Sequence, residues 1–135
     1  MDKLLSVGTI ITDDIVFLVG HATKMTHWDI PKGEREPEEA LVHCALREVA
    51  EETNLHLPIL KMWPIGYFKY RPQKDLFLFK YKVQSDSLPP LGMMKCNSFV
   101  NDDSTYPEFD QYKYIRFDEV GSHLSKTLQK VFKQL

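Results

Sequence analysis

Three glutamates and an arginine near the middle of the chain carry the first chemical signal. Arg47, Glu48, Glu51 and Glu52 lie in a stretch whose apolar residues Val42, Ala45, Leu46 and Val49 recur at the spacing of one helical face. With Arg47 at angular zero and about 100° per residue, Glu48, Glu51 and Glu52 fall near roughly 100°, 40° and 140°. Three carboxylates therefore share one side of a helix. Like charges at that spacing repel, and a bound cation relieves the repulsion. Oxygen donors gathered without imidazole or thiolate suit a hard ion, Mg²⁺ or Mn²⁺, and Mg²⁺ commonly binds through few carboxylates together with water and substrate phosphates. The implied class is phosphate chemistry.

Other elements must hold that helix in place. Residues 4–11 and 15–19 are short β-branched runs split by Thr12-Asp13-Asp14, which predicts two strands joined by a tight reversal. His27-Trp28-Asp29-Ile30-Pro31-Lys32-Gly33 follows, where Pro31 excludes regular helix and Gly33 frees the backbone for an unusual φ. Pro37, Glu38 and Glu39 suit a first helical turn, and Asn54 suits a left-handed C-terminal cap, so the helix is expected over 37–53. Strands are expected over 59–70 and 75–84, paired around Pro72-Gln73-Lys74. Residues 85–107 carry loop chemistry, with Met93, Met94 and Phe99 expected to fold back on the body. A last strand over 111–117 leads through Asp118, a candidate N-cap, into a terminal helix with Val120, Leu124, Leu128, Val131, Phe132 and Leu135 on one face. The reading is an α/β (α+β) fold with a mixed β-sheet between helices.

Composition removes other classes. A chain of 135 residues, 43% hydrophobic and 27% charged, is the size of one ordinary domain, expected to be complete over 1–135. With 17 Lys and Arg against 19 Asp and Glu, the net charge of −2 provides no global basic field, which disfavours long nucleic acid as a partner. Cys44 and Cys96 form no CxxC pair, which fits a reducing, cytoplasmic setting. The apolar run at the amino terminus is too short for a membrane span or secretory leader.

From Gly33 the chain reads Gly33, five residues, Glu39, seven residues, Arg47-Glu48-Val49, Ala50, Glu51-Glu52, Thr53, Asn54, Leu55. This resembles the Nudix box, G-x5-E-x7-R-E-U-x-E-E-x-G-U with U a bulky aliphatic residue, the signature of the Nudix hydrolase family. Only the last glycine differs, replaced by Asn54. The resemblance implies a layered α/β/α sandwich and metal-dependent hydrolysis of a pyrophosphate bond by water attack on phosphorus. It assigns Glu48, Glu51 and Glu52 as metal ligands, with Glu52 in direct contact, and Arg47 with Glu39 as a brace between loop and helix. A main-chain carbonyl at Lys32 or Gly33 is expected to complete a shell for Mg²⁺ (or Mn²⁺), with more than one ion per site. Glu48, Glu51, Arg47 and Glu108 are the expected catalytic set. Glu108 best matches a further carboxylate of the family, Asp110 is the substitute, and the general base is one of these or a box glutamate.

The substrate implied is a nucleotide, most closely a dinucleoside polyphosphate because Trp28-Asp29-Ile30-Pro31-Lys32-Gly33 resembles that subgroup, or a nucleoside triphosphate. Removal of pyrophosphate from RNA 5′ ends, cleavage of ADP-ribose-type substrates and a non-catalytic nucleotide sensor are the alternatives. Lys32 is the expected phosphate contact, extended by Arg71, Lys69 and Lys74. Trp28, Phe68, Tyr70, Tyr106 and Phe109 are the aromatic candidates for stacking a base. A monomer or homodimer is expected.

Overall fold

The central strands are buried on both faces, and their successive side chains alternate between two apolar layers on opposite sides of one sheet. In the computed structural model, residues 3–100 and 106–135 are described. The strands are β1 (Leu4–Thr12), β2 (Val16–Ala22), β3 (Trp28–Asp29), β4 (Lys32–Glu34), β5 (Trp63–Arg71), β6 (Lys74–Lys82) and β7 (Phe109–Arg116), with helices α1 (Leu41–Thr53), α2 (Val120–His123) and α3 (Lys126–Phe132). They form a seven-stranded sheet ordered β3-β2-β1-β6-β5, with β4 added on β1 and β7 on β2. β1 runs parallel to β6 from Leu4↔Lys74 to Thr12↔Lys82, whereas the other pairings are antiparallel. The sheet is therefore mixed, as expected.

Val7 and Ile11 of β1, Leu18 of β2, and Phe77 and Phe79 of β6 face Cys44, Ala45 and Val49 of α1. The intervening Ile10, Phe17, Val19, Leu76 and Leu78 face Leu128, Val131 and Phe132 of α3. This period of two builds the α/β/α sandwich. Each fully buried aliphatic side chain contributes about 1.5–3 kcal/mol relative to exposure.

Several boundaries differ from expectation. The central helix begins at Leu41 rather than residue 37, because Glu38 takes the left-handed conformation (φ 64°) and Ala40 is the N-cap. Glu39 lies in this loop, where its carboxylate accepts the Glu36 N–H at 3.1 Å. Asn54 caps the other end as anticipated, at φ 64° and ψ 15°, its N–H donating to the Ala50 carbonyl. Residues 59–61 form a single 3₁₀ turn, so β5 starts at Trp63. β6 covers 74–82 and β7 covers 109–116. The terminal helix is broken at Leu124, after which the Ser125 side chain accepts the Leu128 N–H and starts α3. Asp118 sits inside a 3₁₀ turn instead of capping a helix.

The stretch expected as a loop over 85–107 contains two 3₁₀ turns, Ser85–Ser87 and Leu91–Met93, while 101–105 lie outside the described residues. Met94 packs on the α1 layer, but Met93 and Phe99 stay exposed. No helix among the described residues is long and apolar enough to cross a membrane.

Candidate active site

The last carbonyls of a helix have no partner within it, and here they organise the site. Asn97 N–H donates to Glu51 O at 2.6 Å and Lys95 N–H donates to Thr53 O at 3.2 Å. The Tyr112 hydroxyl donates to Glu52 O. The long connection is thereby tied across the C-terminal end of α1. Glu108 N–H then donates to Ser98 O at 2.8 Å, and the Glu108 side chain meets the acidic face of the helix.

Arg47 anchors the opposite edge. Its Nε and Nη2 grip both oxygens of Glu39 at 2.7 and 3.0 Å, while Nη1 donates to Glu48 Oε1 at 2.8 Å and Glu51 Oε1 at 3.3 Å. Nη2 also reaches the Glu34 carbonyl at 3.2 Å. This fork joins loop, strand and helix, as the box resemblance implied. The hydrogen bonds from Arg47 hold the Glu39 carboxylate down to about 2, well below its ordinary range.

The three box glutamates have different surroundings. Glu52 is 3% exposed and Glu48 is 7% exposed, whereas the Glu51 side chain is 42% exposed. Glu52 Oε1 accepts the Lys32 backbone N–H at 2.7 Å. Burial, a hydrogen bond to Glu108 and the nearby charges of Glu108 and Glu48 push the Glu52 carboxyl well above the ordinary range. Burial likewise pushes Glu48 to about 7, against the opposing pull of Arg47. Buried carboxylates gathered this closely disfavour one another's charge, and a bound cation would relieve that cost. All the side-chain donors here are oxygens, which fits a hard divalent ion. Among the described residues, no three His, Cys, Asp or Glu side chains are already gathered into a finished metal cage.

A polar cleft of about 340 Å³ opens over this face, lined by Ser6, Lys32, Gly33, Glu34, Glu48, Glu51, Lys74, Ser98 and Glu108. Gly33 lies in β4 without a positive φ, so the unusual conformation expected there does not occur. Close approach requires glycine instead: a Cβ on Gly33 would stand 2.1 Å from the Glu48 carboxyl carbon. The Gly33 carbonyl lies 3.9 Å from Cys44 Sγ, and burial raises that thiol to about 12, making it an inert neighbour.

The structure distributes the remaining expected site residues differently. Asp110 pairs with His21 Nδ1 at 2.7 Å, leaving Glu108 as the carboxylate that reaches the cleft. Lys32 Nζ is ion-paired with Asp29 at 2.9 Å. Burial alone would lower its pKa, but Asp29, Tyr70 and Glu52 more than offset that and leave it raised. Tyr70 and Phe109 are 8% and 5% exposed, so both rings serve the packed interior, and the Phe109 ring fills the space beside Gly20. Phe68 is half-buried against the α3 layer. Trp28 packs there too, with Lys113 Nζ 4.3 Å from its ring centre and His21 and His123 at its edges. Lys24 lies over Tyr106 at 4.0 Å, and Arg71 over Tyr70 at 5.2 Å.

Sequence reasoning missed Asp29 and Tyr112 as supports. Asp29 stands three residues before the lysine it pairs with, a signal available in the chain. Tyr112 depends on strand pairing with β2 and had no local signal.

The sequence matches the family model described as NUDIX domain over residues 2–134. An uncharacterized 17.7 kDa protein from the e-segB intergenic region of Enterobacteria phage T4 is 35% identical over 127 residues, spanning 84% of this chain and 82% of that protein. Among solved structures, the MutT NUDIX hydrolase from Burkholderia pseudomallei superposes with a TM-score of 0.73 at 12% identity, covering 100% of this chain and 98% of that one. An Ap4A hydrolase binary complex from C. elegans gives a TM-score of 0.65 at 16% identity, covering 97% and 93%. With the box residues assembled as described and the family match extending over nearly the whole sequence, this chain belongs to the Nudix hydrolase family.

Proposed function

We propose that this chain is a Mg²⁺-dependent pyrophosphohydrolase of nucleotides, cleaving a dinucleoside polyphosphate or a nucleoside triphosphate. The observation that carries the reading is the buried pair Glu48 and Glu52, with Glu51 and Glu108 beside them, at the edge of a cleft lined mainly by polar groups. Glu48, Glu51 and Glu52 would hold the ion, with Glu108 and the main chain at Lys32 and Gly33 alongside; Mn²⁺ suits the same donors. When bound there, a divalent cation supplies positive charge to phosphoryl oxygens and makes a nearby water more acidic.

The protein groups perform the rest. Arg47 holds Glu48 and Glu51 against their mutual repulsion. The Lys32 amide fixes one oxygen of Glu52. Glu108 accepts a proton from the water that attacks phosphorus, and a mononucleotide leaves with the broken anhydride oxygen. Lys74, held by Glu34 at 2.9 Å, borders the cleft as a cation for the phosphate chain. The substrate preference rests on the likeness of the Trp28 to Gly33 segment to the dinucleoside polyphosphate hydrolases.

Release of mononucleotide from diadenosine tetraphosphate, nucleoside triphosphates, ADP-ribose and 5′-triphosphate RNA, with Mg²⁺ or with chelator, tests this reading. Mg²⁺-dependent turnover that falls at least about a hundredfold in Glu52→Gln is expected. Tight nucleotide binding without turnover would instead identify a sensor, and turnover indifferent to Glu52→Gln would remove the metal assignment.

A further inference from the structure

The end of the β5–β6 hairpin carries a second cavity, of about 390 Å³, lined by Lys3, Lys69, Tyr70, Arg71, Pro72 and Lys130. No lining residue is acidic. Lys3 is paired with Asp75 at 3.3 Å, but Lys69, Arg71 and Lys130 have no carboxylate within ion-pair distance among the described residues. Elsewhere on the same hairpin, cations are neutralised: Lys80 and Lys82 both bind Asp14, at 2.5 and 2.8 Å. In a chain with net charge −2, three unneutralised cations around one concavity mark a local anion site.

This cavity adjoins the catalytic cleft. Tyr70, which lines the cavity, has Arg71 5.2 Å from its ring centre and Lys32, part of the cleft lining, 5.5 Å from it. Arg71 is also paired in register with Lys74, which lines the cleft. An anion extending out of the cleft past Lys74 would meet Arg71 next.

We infer that the cavity formed by Lys69, Arg71 and Lys130 is a second anion subsite that takes the distal phosphates of an oligophosphate substrate, beyond the phosphates held over Glu48 and Glu52. This deepens the proposed hydrolase reading and rests on it for the identity of the ligand. The subsite favours substrates with three or more linked phosphates over a diphosphate such as ADP-ribose, because a diphosphate offers no further phosphate beyond those held in the cleft. Multiple cations meeting one polyanion form charge-assisted contacts that weaken steeply with added salt.

The test measures binding of inorganic tripolyphosphate to the full chain by calorimetry in metal-free buffer, which needs no turnover. Lys69→Gln with Lys130→Gln is compared with a control of equal charge change, Lys61→Gln with Lys95→Gln. About a tenfold loss of affinity is expected in the first pair and less than about twofold in the control. Equal loss in both pairs, or no loss in the first, overturns the subsite. If nucleotides are hydrolysed, the ratio of KM for diadenosine tetraphosphate to KM for ADP-ribose rises about tenfold in the first pair. If no nucleotide is hydrolysed, the enzymatic reading fails while the tripolyphosphate result still decides the subsite.

Discussion

Gly33 and Glu48 share one contact across β4 and α1, so close that a Cβ added to the glycine would stand 2.2 Å from either carboxylate oxygen. The glutamate has little freedom to yield, because Arg47 Nη1 holds it at 2.8 Å. Gly33→Ala is therefore expected to displace the Glu48 carboxylate, lowering kcat at least about tenfold and stability by roughly 1–3 kcal/mol. Steady-state kinetics beside thermal denaturation check both effects. Full activity in a folded Gly33→Ala protein would remove Glu48 from the working site.

Glu48 and Glu52 oppose stability in the metal-free protein. The folded-state pKa of Glu48 is raised from 4.5 to about 7, so its contribution is fully present below pH 4.5 and is lost as pH rises through about 7. Glu52 acts in the same direction. Without metal, unfolding free energy is expected to fall across this window, and Glu48→Gln to flatten the fall, gaining roughly 1–3 kcal/mol at pH 7.5 while activity is lost. Added Mg²⁺ should raise the melting temperature of the native chain and not of Glu52→Gln. Chelator and Mg²⁺ melting curves at pH 4.5, 6 and 7.5 are sufficient; a native chain more stable at pH 7.5 than at pH 4.5 without metal contradicts this account.

The parts of the site readable from sequence are those fixed within one helix. The angular positions of Glu48, Glu51 and Glu52 and the cap at Asn54 follow from local geometry, and the structure has both. Burial within the trio was not readable: which glutamates lie inside depends on β4 and Glu108, brought over α1 by long-range pairing. The early helix start failed for a related reason. Pro37 and Glu39 favour a first turn, yet the Glu39 bonds to Arg47 and to the Glu36 N–H hold this segment as a loop. Tyr70 and Phe109 illustrate the same limit, since composition supplies aromatic rings but the fold decides which are covered.

The Glu39–Arg47 fork is expected to contribute stability only where Glu39 is ionised. Its folded pKa is depressed from 4.5 to about 2, so that contribution is present above pH 4.5 and disappears as pH falls toward 2. Glu39→Gln should cost about 1–2 kcal/mol at pH 7 and lower kcat, because Arg47 then loses the anchor from which it holds Glu48 and Glu51. A double-mutant cycle with Arg47→Met isolates the pair. Additive effects of the two substitutions would show that the fork does not act as a unit.

Glu108 and Asp110 are two residues apart yet have different partners, and this separates their expected roles. Glu108 lines the cleft near the buried Glu52, while Asp110 binds His21 at 2.7 Å on its own strand pair. Glu108→Gln is expected to reduce kcat by about a hundredfold or more with KM little changed, the pattern of a group acting mainly in the transition state. Asp110→Asn should change kcat by less than about threefold. Because the charge of Glu108 helps raise the neighbouring Glu48 and Glu52 carboxyls, its substitution should also alter the pH at which activity rises, an effect that simple loss of packing does not produce. Measuring kcat against pH for both variants decides the assignment: if Asp110→Asn is the damaging change, the proton acceptor lies on the His21 side of the strand and the roles exchange.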